Sequence, residues 1–244
     1  NWNKLSGNTI KNYLIYTQNS ASTMVMELGS GNTIDHSLIK TANSNTTFEL
    51  TSAVVTAYLV EANNKVMTIT ATNCSNLRNL VNVNNAGATI SLTATNCTIT
   101  QMISASNAGV LSVNITGGTL DRLAVTNAAT GSITGSISGT NVKLLVGTNN
   151  GTVNVSVKGN ATVSSVITTN SASGSATIEV SGATVSGNLV AANAGVATVN
   201  LGSNAKIATT STNLVGVNTK TTTINVNSAL TLTGMNDFVF VGDS

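Results

Sequence analysis

The chain is predicted to be all-β: a right-handed parallel β-helix, or β-solenoid, of about ten coils of roughly 22 residues, three short strands per coil, with an asparagine ladder. Three observations predict it. A phrase of aliphatic residues, small residues and a closing asparagine recurs along the whole sequence. A polar slot flanked by aliphatic residues recurs in step with it. No stretch carries the 3.6-residue period of a helix.

The phrase appears as "YLVEAN" ending at Asn63, "NLVNVN" at Asn84, "KLLVGTN" at Asn149, "SVITTN" at Asn170, "NLVAAN" at Asn193 and "NLVGVN" at Asn218. Looser copies are "YLIYTQN" at Asn19, "SLIKTAN" at Asn43, "QMISASN" at Asn107 and "RLAVTN" at Asn127, so successive asparagines lie 20 to 25 residues apart. The polar slot holds Glu27, Glu49, Thr70, Thr93, Asn114, Ser136, Ser156, Glu179, Asn200 and Asn225. Its surroundings alternate strictly, as a half-buried first strand requires.

A turn column follows: Ser30, Ser52, Asn73, Asn96, Gly117, Gly139, Gly159, Gly182, Ser203 and Ser228. After it a short second strand supplies one inward aliphatic residue, such as Leu77, Leu120 or Val163. The aliphatic pair forms the third strand, and the asparagine closes it. A lone coil cannot bury its inward side chains, so coils must stack, about 4.8 Å apart. Irregular coil length favours the right-handed form. Asparagines in register can pass amide hydrogen bonds along the stack, and each is expected at a corner in the left-handed conformation that asparagine tolerates.

One solenoid domain is expected over residues 1–244: a lead-in at 1–6 containing Trp2, coils over 7–234, and an atypical strand over 235–244. In that last piece Phe238 to Val241, including Phe240, is expected to cover the final coil or dock onto the next chain. The abrupt start at Asn1 suggests a processed or trimmed product.

Composition narrows the function. Only 7% of residues are charged and 3% aromatic, while 41% are hydrophobic, which argues against disorder. A net charge of +2 with scattered basic residues gives no nucleic-acid footprint. No apolar run approaches the length of a membrane helix, so this segment is not expected to insert.

The runs "NNAGATISLTATNCTIT", "NAGVLSVNITGGTL", "NNGTVNVSVKGNATV" and "NAGVATVNLGSNAKI" resemble the β-helical passenger regions of Gram-negative autotransporters and filamentous-haemagglutinin-like surface adhesins. The likeness covers roughly residues 7–235. It implies a secreted or surface-displayed rod for adhesion, self-association or display. Those families share a scaffold and not a site, so the likeness transfers no functional residue.

Several groups could carry chemistry. Cys74 and Cys97 share a column one coil apart, as stacked buried thiols or, in an exported protein, a disulfide. Two cysteines and a distant histidine make no metal site, and no cofactor is expected. Glu27 and Glu49 stack as neighbouring carboxylates, but no basic residue shares their column. Asp35, His36, Arg78, Asp121, Arg122 and Lys143 fall at the bend between second and third strands, a solvated edge or a ligand-contacting ridge. Thr68, Thr70, Thr72, Thr93 and Thr95 face outward together, which suits an ice-binding surface, although the threonine file gives way to serine and asparagine in later coils.

The function expected is therefore a non-catalytic extracellular rod, an adhesin or structural fibre segment, secreted or on the cell surface. Its partners would be its own copies, end to end or side by side, or a host or surface glycan or protein receptor. A carbohydrate-active enzyme (lyase, hydrolase or tailspike-like) and an ice-binding solenoid are the alternatives.

Overall fold

A computed structural model of the chain describes residues 6–18, 23–208 and 214–234. It is an all-β parallel solenoid of about ten coils, with no helix among the described residues. One sheet stacks ten strands, one per coil, and the other stacks fourteen. In a typical coil Thr89–Thr95 lies in the first sheet and Thr98–Asn107 in the second, before Val110–Thr116 returns to the first. Thr89 pairs with Val110 and Thr95 with Thr116, so the next coil lies in parallel and in register.

Burial follows the strand period in the first sheet. Leu111, Val113 and Ile115 face in, while Val110, Asn114 and Thr116 are exposed. The long strands of the second sheet behave differently. In Thr119–Asn127 the inward residues are Leu120, Leu123, Ala124 and Asn127, and the outward ones come in pairs. Two consecutive outward residues cannot occur in a straight strand of period two, so the chain bends at Asp121–Arg122 and again at Val125–Thr126. The expected second and third strands are separate in the second coil, as Thr33–Ile34 and Ile39–Ala42. In the middle coils they run together as one bent strand of nine or ten residues.

The left-handed corners sit in the turn column. Ser52, Asn73, Asn96, Gly117, Gly139, Gly159 and Gly182 all have φ between 49° and 67°. At two expected turn positions the left-handed residue is the next one along, Gly31 rather than Ser30 and Asn204 rather than Ser203. The ladder asparagines do not take this conformation, which corrects the expectation from sequence. They end extended strands, and their side chains rather than their backbones suit the corner.

Those side chains form a continuous buried ladder. Asn63 donates to Asn84 (3.0 Å), Asn84 to Asn107 (2.8 Å), Asn107 to Asn127 (3.0 Å) and Asn127 to Asn149 (2.8 Å). Asn149 then donates to Asn170 (2.8 Å) and Asn170 to Asn193 (2.6 Å). The second amide hydrogen of Asn149 goes to the Ser175 carbonyl at 3.3 Å, and its Oδ1 accepts the Gly151 N–H at 3.1 Å. Every polar atom of the buried amide is thus matched, where an unmatched one costs about 1–3 kcal/mol. Asn193 passes the chain to Thr222 (2.8 Å), whose hydroxyl donates to Asn218 (3.0 Å).

The glycine that follows many ladder asparagines has a steric cause. A Cβ on Gly131 would collide with the Asn107 carbonyl and the Asn127 amide oxygen. One on Gly174 would collide with Asn170 and the Asn149 carbonyl.

Asn43 is not a ladder member. Ala42 pairs with Asn63, so the ladder position of the second coil is an alanine. Asn43 instead belongs to a second string one residue further out, accepting from Asn64 (2.6 Å), which accepts from Asn85 (2.6 Å). The same offset applies to the coil before, where Gln18 pairs with Ala42. Asn19 lies outside the described residues, as do Trp2 and the proposed strand at Phe238 to Val241.

Ring stacking contributes little to the core. Among the described residues Phe48 is the only phenylalanine, buried among Met26, Leu50, Met67 and the leucine, isoleucine and valine columns. In the last described coil the inward residues are less covered, with Val226 53% and Leu232 48% exposed.

Candidate functional site

The bend between the flat runs gathers only part of the expected ridge. Asp121 pairs with Lys143 on the next coil (3.2 Å) and with its neighbour Arg122 (3.5 Å). Both pairs are solvent-exposed, so each contributes little to stability. Asp121 and Lys143 border a shallow groove of about 460 Å³, whose polar rim includes Thr98, Thr100, Thr119, Asn141 and Thr162. Arg78 stands apart, with the Thr100 coil between it and Asp121. Asp35 instead accepts the Thr56 hydroxyl at 3.1 Å.

His36 turns away from the ridge. Its Nδ1 accepts the Ser37 N–H at 2.8 Å, and its ring meets Tyr13 edge to face at 4.6 Å. This belongs to a cluster not foreseen from sequence. Tyr13 donates to Glu61 Oε1 at 2.8 Å, and the buried Ser37 hydroxyl donates to the same oxygen at 2.9 Å. The bond to Glu61 holds the Tyr13 phenol above its ordinary pKa. Lys40 donates to the Tyr16 hydroxyl at 2.7 Å, and that bond raises the pKa of Lys40. A signal existed: Ser37 and Glu61 are 24 residues apart, as are Tyr16 and Lys40, and Tyr13 precedes Glu61 by 48.

Cys74 and Cys97 are free, buried thiols in contact. The Cys74 N–H donates to Cys97 Sγ at 3.4 Å, and the thiols bond to the Thr72 (3.5 Å) and Thr95 (3.3 Å) carbonyls. Hydrogen bonding with Cys97 lowers the Cys74 pKa to about 7, while the same bond together with burial pushes the Cys97 thiol up. Their corner holds small buried residues elsewhere, among them Ala53, Thr140, Ala161, Ala183 and Ala205. Packing alone accounts for cysteine there.

Glu27 and Glu49 are cross-strand partners on the outer face of the first sheet, and both are exposed. Beside them a second outward column runs Thr47, Thr68, Ser91, Ser112, Thr134, Asn154, Thr177, Thr198 and Thr223, each paired in register with the next. Small hydrogen-bonding groups therefore continue through nine coils, well past the point where threonine itself stops repeating. Ser112 bonds Thr134 (3.0 Å), Ser136 donates to Asn114 (3.2 Å) and Asn225 to Asn200 (2.8 Å).

Among the described residues no three metal-ligating side chains converge. The chain matches no family model, no curated protein and no solved structure, so the solenoid itself, with its buried ladder, is the level at which it can be classed.

Proposed function

We propose that the chain is a rigid, non-catalytic rod displayed outside the cell, an adhesin or fibre segment that meets its partners through hydrogen bonds from flat faces. The observation that carries this reading is the in-register column from Thr47 to Thr223, in which every side chain is a threonine, serine or asparagine. Such a column presents one hydroxyl or amide per coil at a spacing of about 4.8 Å. It suits repeated contact with an extended partner, whether a surface glycan, a protein receptor or a second rod lying alongside. The likeness of runs such as "NAGVLSVNITGGTL" to autotransporter passengers supports a secreted or surface location. The low charge of the flat faces also favours rod-to-rod association.

Beads coated with the purified chain test the reading. They should cluster with one another or be retained on glycan- or protein-coated surfaces above the level of uncoated beads. Absence of both would overturn it. Release of new reducing ends from a polysaccharide panel would move the chain to the carbohydrate-active class. A freezing-point gap with shaped ice crystals would move it to the ice-binding class.

A further inference from the structure

The first three coils carry side chains that neither the ladder nor the flat faces require. Ile15 pairs with Ile39 and Thr17 with Thr41, while Ile39 pairs with Val60 and Thr41 with Ala62. Tyr16, Lys40 and Glu61 therefore stand in one outward column on three successive coils. Further along the stack this column passes through Asn82 and Val125 to Gly147 and Thr168, so the aromatic and charged chemistry is confined to its beginning.

Tyr13 completes the group, with its ring 5.7 Å from that of Tyr16 and nearly perpendicular to it. The Lys40 ammonium lies 4.3 Å from the centre of the Tyr16 ring, which remains 63% exposed. Glu61 Oε1 is occupied by Tyr13 and Ser37, and among the described residues Oε2 takes no hydrogen bond.

We propose that this patch binds a neutral sugar, with Tyr16 as the stacking platform, Glu61 Oε2 accepting ligand hydroxyl protons and Lys40 donating to ligand oxygens. The charge pattern selects the class. Lys40 already holds the cation position over the ring, so a cationic ligand is repelled. Glu61 beside it opposes an anionic one. His36 accepts the Ser37 N–H at Nδ1, which leaves Nε2 as the ring position for a donor. An uncharged polyol finds donors, acceptors and an aromatic face together, and the face is supplied by a tyrosine with only two side-chain torsions to fix.

The proposal rests on the rod reading for its use, as the rod's point of attachment. Saturation-transfer NMR on the whole chain tests it, with the methyl glycosides of glucose, galactose, mannose and N-acetylglucosamine as neutral probes. N-acetylneuraminic acid and choline serve as charged probes. At least one neutral glycoside should bind in the millimolar range, more tightly than either charged probe. Tyr16→Ala, at an exposed position, should weaken binding about tenfold, and Tyr16→Phe should retain most of it. Glu61→Gln should also weaken it. Binding by no neutral glycoside, preference for a charged probe, or full affinity in Tyr16→Ala would overturn the site. The bead assay keeps the two readings apart: adhesion without glycoside binding sinks the site alone, and glycoside binding without adhesion sinks the rod reading alone.

Discussion

From Val66 to Leu201 each coil repeats its neighbour: an asparagine in the ladder, a small residue at the turn, hydroxyls on the outer face. The first coils keep the aliphatic inward columns but depart from the repeat in the ladder and on the outer face. Their ladder positions before Asn63 are Gln18 and Ala42, and successive outward positions carry Tyr16, Lys40 and Glu61. The difference separates two roles. Once inward columns and register are satisfied, outward residues are free to vary, and variation from the repeat is where recognition chemistry can be placed.

That contrast can be broken most strongly in the middle coils. Leu145→Ala removes a fully buried side chain where stacked neighbours prevent collapse and should destabilise the chain by about 2–5 kcal/mol in denaturant melts. Asn149→Leu leaves the Asn127 amide, the Gly151 N–H and the Asn170 oxygen without their partner, and should cost about 1–3 kcal/mol. Unchanged melts would remove the ladder from the account. Gly131→Ala should cost about 1–3 kcal/mol, because its Cβ meets backbone and ladder oxygens that cannot move apart.

The first coils should respond less. Asn43→Ala removes a half-buried member of the outer string, outside the main ladder, and should cost less than Asn149→Leu, about 1 kcal/mol. A loss equal to that of Asn149→Leu would restore Asn43 to the main ladder.

The smallest effect is spectroscopic. Tyr13 has a raised folded pKa, so its bond to Glu61 contributes fully below the unfolded phenol value of 10.0 and is lost as pH rises through the folded value. Absorbance titration of the phenols should show one that ionises late, and Glu61→Gln should shift it down. An unshifted curve would detach Tyr13 from Glu61.

The coil period and the ladder from Asn63 to Asn193 were legible in the sequence because each inward column repeats one residue class. The error at Asn43 came from counting to the asparagine rather than from the aliphatic pair. Asn63 lies four residues after Leu59, but Asn43 lies five after Leu38. Asn107 also lies five after Met102, yet it joins the ladder because a bulge between Ile103 and Ser106 absorbs the extra residue. No such irregularity interrupts Ile39–Ala42 against its partner, so there the asparagine is carried past the column. Sequence alone does not show which strand will bulge. The Tyr13–Ser37–Glu61 cluster was missed for a related reason: its members lie on different coils at bends, where side-chain direction is set by the bend and not by alternation.

The central claim, that the register-locked ladder holds the rod together, is tested most directly by residue-resolved amide hydrogen exchange on the native chain. Protection should rise at the coil that begins the ladder at Asn63, stay high and even through the inward amides to Asn193, and fall in the coils beyond. Protection before Asn63 equal to that of the middle coils, or a minimum at Asn127 or Asn149, would contradict it.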